Sequence, residues 1–138
     1  HRDLHSFPTR RSSDLMIKRH GGRVINVAST FGFVGSSNLS AYCTCKGAVV
    51  NMTRAMAFEL AGENIHVNAV APGPIMTEGM SDLIKRVPSV HESRVQDVPM
   101  GRFGTPEEIA EVCLFLASEQ CSYMNGSVLV ADGGFLTH

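Results

Sequence analysis

The sequence predicts an α/β fold built on a buried parallel sheet. Three observations carry that expectation. Residues 23–29 and 65–71 are short, Val/Ile/Ala-rich runs, the composition of strands covered on both faces. Between them, apolar residues recur at steps of three and four over 41–61, the period of an amphipathic helix. A strand, a long helix and a second strand in that order form a crossover unit with parallel strands.

Composition bounds the function. The chain has 138 residues, room for one domain, and its apolar content of 43% suits a packed core. A formal net charge of −1 gives no strong field for nucleic acid or a membrane surface, and no such partner is expected. No apolar run approaches the length of a bilayer span. Cys43, Cys45, Cys113 and Cys121 show no C-x-x-C or finger spacing and read as small reduced residues, in keeping with a cytoplasmic setting. The six histidines are scattered, and no metal site is expected.

The elements follow in order. Residues 1–15 are polar, basic and without period, and they match, codon for codon, the translation of a common sequencing-library adapter. They are read as a non-native tail, leaving 16–138 as domain sequence. Residues 16–22 read as a helix end with a glycine stop. The strand 23–29, a loop over 30–40 and the helix 41–61 come next. The expected buried stripe of that helix is Ala41, Cys45, Ala48, Val49, Met52, Ala55, Met56 and Leu60, with Gly62 closing it. After the strand 65–71, Pro72-Gly73-Pro74 makes a rigid turn. Residues 78–103 are irregular, with short helices expected near 79–86 and 89–96, and suit a lid over a site. Met80, Leu83, Val87 and Val90 face either substrate or core. Thr105 as N-cap, Pro106 at the first helical position and Glu108 as the partner of a capping box start a further helix that ends near Ser118. Its stripe is Ile109, Val112, Cys113, Leu116 and Ala117. Ser127–Ala131 reads as the last strand, closed by Asp132-Gly133-Gly134.

Three side chains carry candidate chemistry. Ser29 ends the first strand, the end at which open α/β sheets bind ligands. Tyr42 and Lys46 sit one helical turn apart on one face. A free tyrosine titrates near ~10, and an ammonium beside it favours the phenolate. A serine can hold a substrate oxygen by the phenol while a proton moves between them. The sequence supplies no hydride carrier, so a cofactor must.

Serine, then tyrosine thirteen residues on, then lysine four after that, in a strand–loop–helix setting, resembles the short-chain dehydrogenase/reductase family. The runs G-R-F-G-T-P-E-E-I-A and N-G-S-V-L-V-A-D-G-G resemble it too, so the likeness covers 16–138. The resemblance implies a doubly wound, Rossmann-like parallel sheet, of which these residues are the C-terminal half. It implies NAD or NADP as cofactor, a small carbonyl or alcohol substrate, and a homo-oligomer, a dimer or tetramer, using the 41–61 helix and the last helix and strand as interfaces. By position it assigns Ser29 to substrate orientation, Tyr42 to acid–base catalysis and to cofactor binding, and Lys46 to tuning Tyr42 and holding the nicotinamide ribose. Pro72 and Gly73 would border the nicotinamide, with the Ile75 backbone and the Thr77 hydroxyl at its carboxamide. The reaction types it most suggests are reduction of a 3-oxoacyl thioester and oxidation of a polyol or secondary alcohol. The family's glycine-rich phosphate turn and cofactor-selecting residue have no counterpart here, since Gly21-Gly22 precedes a strand. The alternative reading is a non-enzymatic piece that at most associates through its interface helices.

Overall fold

The computed structural model describes residues 9–137, with side chains from Ser13 onward. Residues 1–8, most of the stretch set apart as a tail, lie outside the described residues. Helix α1 is Thr9–Lys18, strand β1 is Gly22–Val27, helix α2 is Ser40–Leu60, and strand β2 is Ile65–Pro72. Helices α3 (Glu78–Arg86), α4 (Ser89–Val95) and α5 (Pro106–Ala117) follow, and strand β3 is Val128–Ala131.

The three strands form one parallel sheet in the order β1-β2-β3. The register runs from Gly22 opposite Ile65 to Val27 opposite Val70, and from Ala69 opposite Val128 to Pro72 opposite Ala131. β2 and β3 end level and β1 stops two residues earlier, so the segments after them emerge along one edge.

β2 is the central strand, and its Ile65, Val67, Ala69, Val70 and Ala71 have no exposed surface. Successive side chains alternate faces. Ile65 and Val67 pack with Ala57, and Ala69 and Ala71 pack with Val50 and Ala28, so the odd residues meet α2. α5 contacts all three strands and covers the other face. β1 is an edge strand; none of its residues is fully buried and Val27 is 54% exposed, so the expectation of burial on both faces fails along it. No helix among the described residues is long and apolar enough to cross a membrane.

Polar ties fix the register. Asn68 is buried; its amide donates to the Met124 carbonyl (2.9 Å) and its side-chain oxygen accepts from the Ser127 N–H (2.9 Å). The Asn125 side-chain oxygen accepts from the Val67 N–H (2.9 Å), and its amide donates to the Ala57 carbonyl at the end of α2 (3.0 Å). These two asparagines continue the β2 ladder where β3 has not yet begun. The Asn26 amide donates to Thr53 Oγ1 (3.0 Å), tying β1 to α2.

The stripe of α2 differs from the expected one. The residues turned inward are Lys46, Val49, Val50, Thr53, Met56, Ala57 and Leu60, at helical spacing, while Ala41, Cys45, Ala48 and Ala55 are exposed. Thr53 passes as a buried residue because its hydroxyl donates to the Val49 carbonyl (2.8 Å) while accepting from Asn26. Helix stops differ too. α1 closes on His20 at φ 60, with its N–H bonded to the Ile17 carbonyl and the Gly21 N–H bonded to the Met16 carbonyl. After α2 the left-handed residue is Asn64 (φ 57), not Gly62.

α5 starts as its sequence predicts. Thr105 Oγ1 accepts from the Glu108 N–H (3.2 Å), and Glu108 Oε2 accepts from the Thr105 N–H (2.8 Å). Arg102 grips the same carboxylate with two bonds, of 2.9 and 2.7 Å. The Arg102 hydrogen bonds, and then the Thr105 amide, hold the Glu108 carboxyl at about 2, below its ordinary 4.5. A lowered folded value means that the contribution to stability is complete above the ordinary value and is lost as pH falls towards the folded one. The melting-temperature gap between the parent chain and Glu108→Gln is therefore expected to be flat above pH 4.5 and to close between 4.5 and about 2. A gap unchanged across that window would contradict the assignment.

Candidate active site

The site is built where the strands end. β1 pairing runs one residue past Val27, the Ala28 N–H bonding the Val70 carbonyl at 2.8 Å. Ser29 then turns the chain. It is extended (φ −166, ψ 159), and its Oγ accepts from the Phe31 N–H (3.2 Å), capping a 3₁₀ turn over Thr30–Gly32. With Oγ used as an acceptor, the hydroxyl proton remains free to donate. Ser29 is 7% exposed.

The turn lies directly on α2. A Cβ on Gly32 would stand 2.9 Å from the Lys46 carbonyl oxygen and 3.1 Å from Val50 Cγ2, so only glycine permits the approach. That contact sets the serine-bearing turn against the stretch of helix that carries Tyr42 and Lys46. Lys46 Nζ donates to the Val27 carbonyl (3.0 Å), spanning from α2 back to β1. The same ammonium sits 5.7 Å from the centre of the Tyr42 ring. Phe31 meets Tyr42 edge-on, at 6.3 Å between ring centres, and Phe135 edge-on at 5.7 Å.

A cleft of about 250 Å³ opens over these groups. Ser29 and Tyr42 line one side, with Thr30, Phe31 and Leu39; Gly73, Pro74 and Ile75 line the other; Met80, Arg94 and Phe135 close it. Of the residues expected from sequence, Ser29, Tyr42, Gly73 and Ile75 thus face one space. Lys46 lies beside Tyr42 rather than in the lining, and Pro72 ends β2 just before the cleft wall. Thr77 caps α3, its Oγ1 accepting from the Met80 N–H (3.2 Å). Gly73 is explained by a neighbour within the chain: a Cβ there would lie 2.7 Å from Asp132 Cα. Ile75 forms a parallel bridge with Gly104 through the Pro74 carbonyl and the Met76 N–H, which turns the Ile75 N–H towards the opposite edge.

Phe31, Leu39, Arg94 and Phe135 were not legible as site residues. Phe135 is placed by the D-G-G turn, whose Gly133 and Gly134 have φ 64 and 92. Asp132 holds that turn, accepting from the Gly134 and Leu136 N–H groups, each at 2.9 Å. The turn was visible in the sequence, but not where it points. A second cavity of about 170 Å³ shares only Pro74 and Ile75 with the cleft; its charged pair Arg102–Glu108 is already satisfied. Among the described residues no group of three or more His, Cys, Asp or Glu could hold a metal ion.

Comparison with known proteins gives one picture. The family model described as Enoyl-(Acyl carrier protein) reductase matches residues 6–136. The chain is 43% identical over 122 residues to 2-(S)-hydroxypropyl-CoM dehydrogenase 3 of Xanthobacter autotrophicus, covering 86% of this chain and 48% of that protein. It is 45% identical over 121 residues to the 3-oxoacyl-(acyl-carrier-protein) reductase FabG of Thermotoga maritima, covering 88% of this chain and 48% of the relative. A structure described as an NAD(P)-dependent gluconate 5-dehydrogenase of Beutenbergia cavernae, with NADP bound at low occupancy, superposes with a TM-score of 0.86 at 38% identity, over 94% of this chain and 52% of the other. The chain spans about half the length of the curated relatives it matches.

Because Gly32 meets backbone that cannot yield, Gly32→Ala is expected to destabilise the chain by about 1–3 kcal/mol in denaturant unfolding, as overpacking does. Gly35→Ala, which meets nothing within 4 Å, is the control and should be near neutral. Equal effects of the two would show that the contact does not matter.

Proposed function

This chain belongs to the short-chain dehydrogenase/reductase family, and on that premise we propose that it carries the proton-transfer side of an NAD(P)-dependent oxidoreductase interconverting a carbonyl and a secondary alcohol. The observation that carries the reading is the meeting of Ser29 and Tyr42 on one cleft, with Lys46 tied beside the tyrosine. Relatives named as a 3-oxoacyl-(acyl-carrier-protein) reductase and a 2-(S)-hydroxypropyl-CoM dehydrogenase support that reaction class.

The residues divide the work. The Ser29 hydroxyl donates to the substrate oxygen and holds it at the phenol. Tyr42 gives its proton to that oxygen as the carbonyl becomes an alcohol, and takes one back in the reverse direction. Lys46, with Nζ 5.7 Å from the centre of that ring, would hold the nicotinamide ribose beside the tyrosine. The bound nicotinamide supplies or accepts the hydride. Pro72 and Gly73, the Ile75 backbone and the Thr77 hydroxyl are the groups that would hold its ring end. The cleft suits that end: its volume of about 250 Å³ takes a ring and a small substrate, not a whole dinucleotide. The other contacts belong to the whole protein, of which this chain spans about half by comparison with its relatives.

The outer face of α2 supports a homo-oligomer. Ala41, Cys45, Ala48 and Ala55 are exposed there, and Phe58 is 89% exposed, a small-residue surface with one large apolar side chain.

The test is titration calorimetry with NADH and NADPH on this chain and on the gene product extended upstream, followed by kinetics of Tyr42→Phe. The extended protein should bind one of the two cofactors. Tyr42→Phe should lose about 10²- to 10⁴-fold in kcat with cofactor affinity unchanged, the usual worth of a positioned acid–base group. Turnover that survives this substitution would refute the role of Tyr42.

A further inference from the structure

We propose that Arg94 makes this cleft selective for substrates carrying an acidic group, a carboxylate, sulfonate or phosphate, at the end away from the reacting carbon; this rests on the oxidoreductase reading above. Arg94 is the only charged residue among those lining the cleft. Its guanidinium lies over the Phe31 ring, with Cζ 5.9 Å from the ring centre. Among the described residues it makes no ion pair; the salt bridges there are Arg23–Glu119, Lys85–Asp82 and Arg102–Glu108. Glu92 and Asp97, its nearest acidic neighbours in sequence, are exposed and do not pair with it.

The physical case has two parts. Arg94 is half-buried, and a guanidinium beside an apolar cleft gains from an oxyanion that replaces lost hydration. Its planar fork of donors suits a bidentate oxyanion, and the contact with the Phe31 ring keeps it at the cleft. The spacing then limits the substrate. Tyr42 to Phe31 is 6.3 Å between ring centres and Phe31 to the guanidinium is 5.9 Å, so the charge lies at most about 12 Å from the phenol ring. A short chain between carbonyl and acid spans that gap. Met80, Leu39 and Phe135 give that chain an apolar path.

The test uses the full-length gene product with its nicotinamide cofactor and compares levulinate, methyl levulinate and the matching keto sulfonate and keto phosphate. The parent protein should favour at least one of the three acids over the neutral ester by about 10- to 100-fold in kcat/KM, the range expected of a charge-assisted pair. Which acid wins identifies the group. Arg94→Met should erase that preference by raising KM for the acid by a larger factor than for the ester, and Arg94→Lys should restore part of it. An acid-to-ester ratio equal in parent and Arg94→Met overturns the proposal. Saturation-transfer NMR with the same compounds is the second readout. If no compound turns over, the binding readout alone decides on Arg94, and the oxidoreductase reading is judged by the cofactor titration and the Tyr42→Phe kinetics. Acid binding lost in Arg94→Met then still upholds the role of Arg94, and the lack of any acid-selective binding overturns it.

Discussion

The contact on which the site depends is the seating of the Thr30–Gly32 turn on the backbone of α2. A methyl group at Gly32 would stand 2.9 Å from the Lys46 carbonyl, so the turn and the helix touch without an intervening side chain. Lys46 completes the joint by reaching across to the Val27 carbonyl at 3.0 Å. Ser29 lies between these two anchors, and Tyr42 lies one helical turn before Lys46. The serine and the tyrosine are therefore positioned by the same backbone joint. A change in the angle between β1 and α2 would move both, but one relative to the other.

That joint needs a rigid floor, and β2 provides it. The floor is apolar along its α2 face, yet its register is set by side-chain amides. Asn68 and Asn125 pair with backbone groups that β3 is too short to reach. A slipped register would leave those buried groups unpaired, at about 1–3 kcal/mol each. The register sets Gly73 and Asp132 just past the paired ends of β2 and β3, and Ser29, two residues beyond the end of β1, reaches the same edge.

Much of this was legible in the sequence, and the exceptions have physical causes. The three strands, the capping box at Thr105 and the pairing of Tyr42 with Lys46 are local patterns, and local patterns are what a sequence displays. The α2 stripe was misread because hydrophobicity was taken as the sign of burial. The true inward face includes Lys46 and Thr53, each satisfied by a backbone carbonyl, while alanines fill the outward face. The helix stops were given to glycines, but His20 and Asn64 accept left-handed backbone there. Gly73 reads from sequence as part of a rigid turn, and the structure adds a neighbour that no spacing shows, Asp132. Phe135 and Arg94 were invisible because their place in the cleft depends on how separate segments pack, which no spacing encodes.

The two kinds of cleft residue rest on different supports. Ser29, Tyr42 and Gly73 are fixed by strand ends and a backbone joint, all continuous with the core. Met80 and Arg94 come from α3 and α4, neither of which has a buried residue. Few buried contacts mean a small free energy of local opening, so these helices can shift or vary in sequence without disturbing the sheet. A site built this way keeps the placement of Ser29 and Tyr42 while its outer wall changes. The same division would let one residue of that wall bear on which molecule is held while Tyr42 and Lys46 stay where the core puts them.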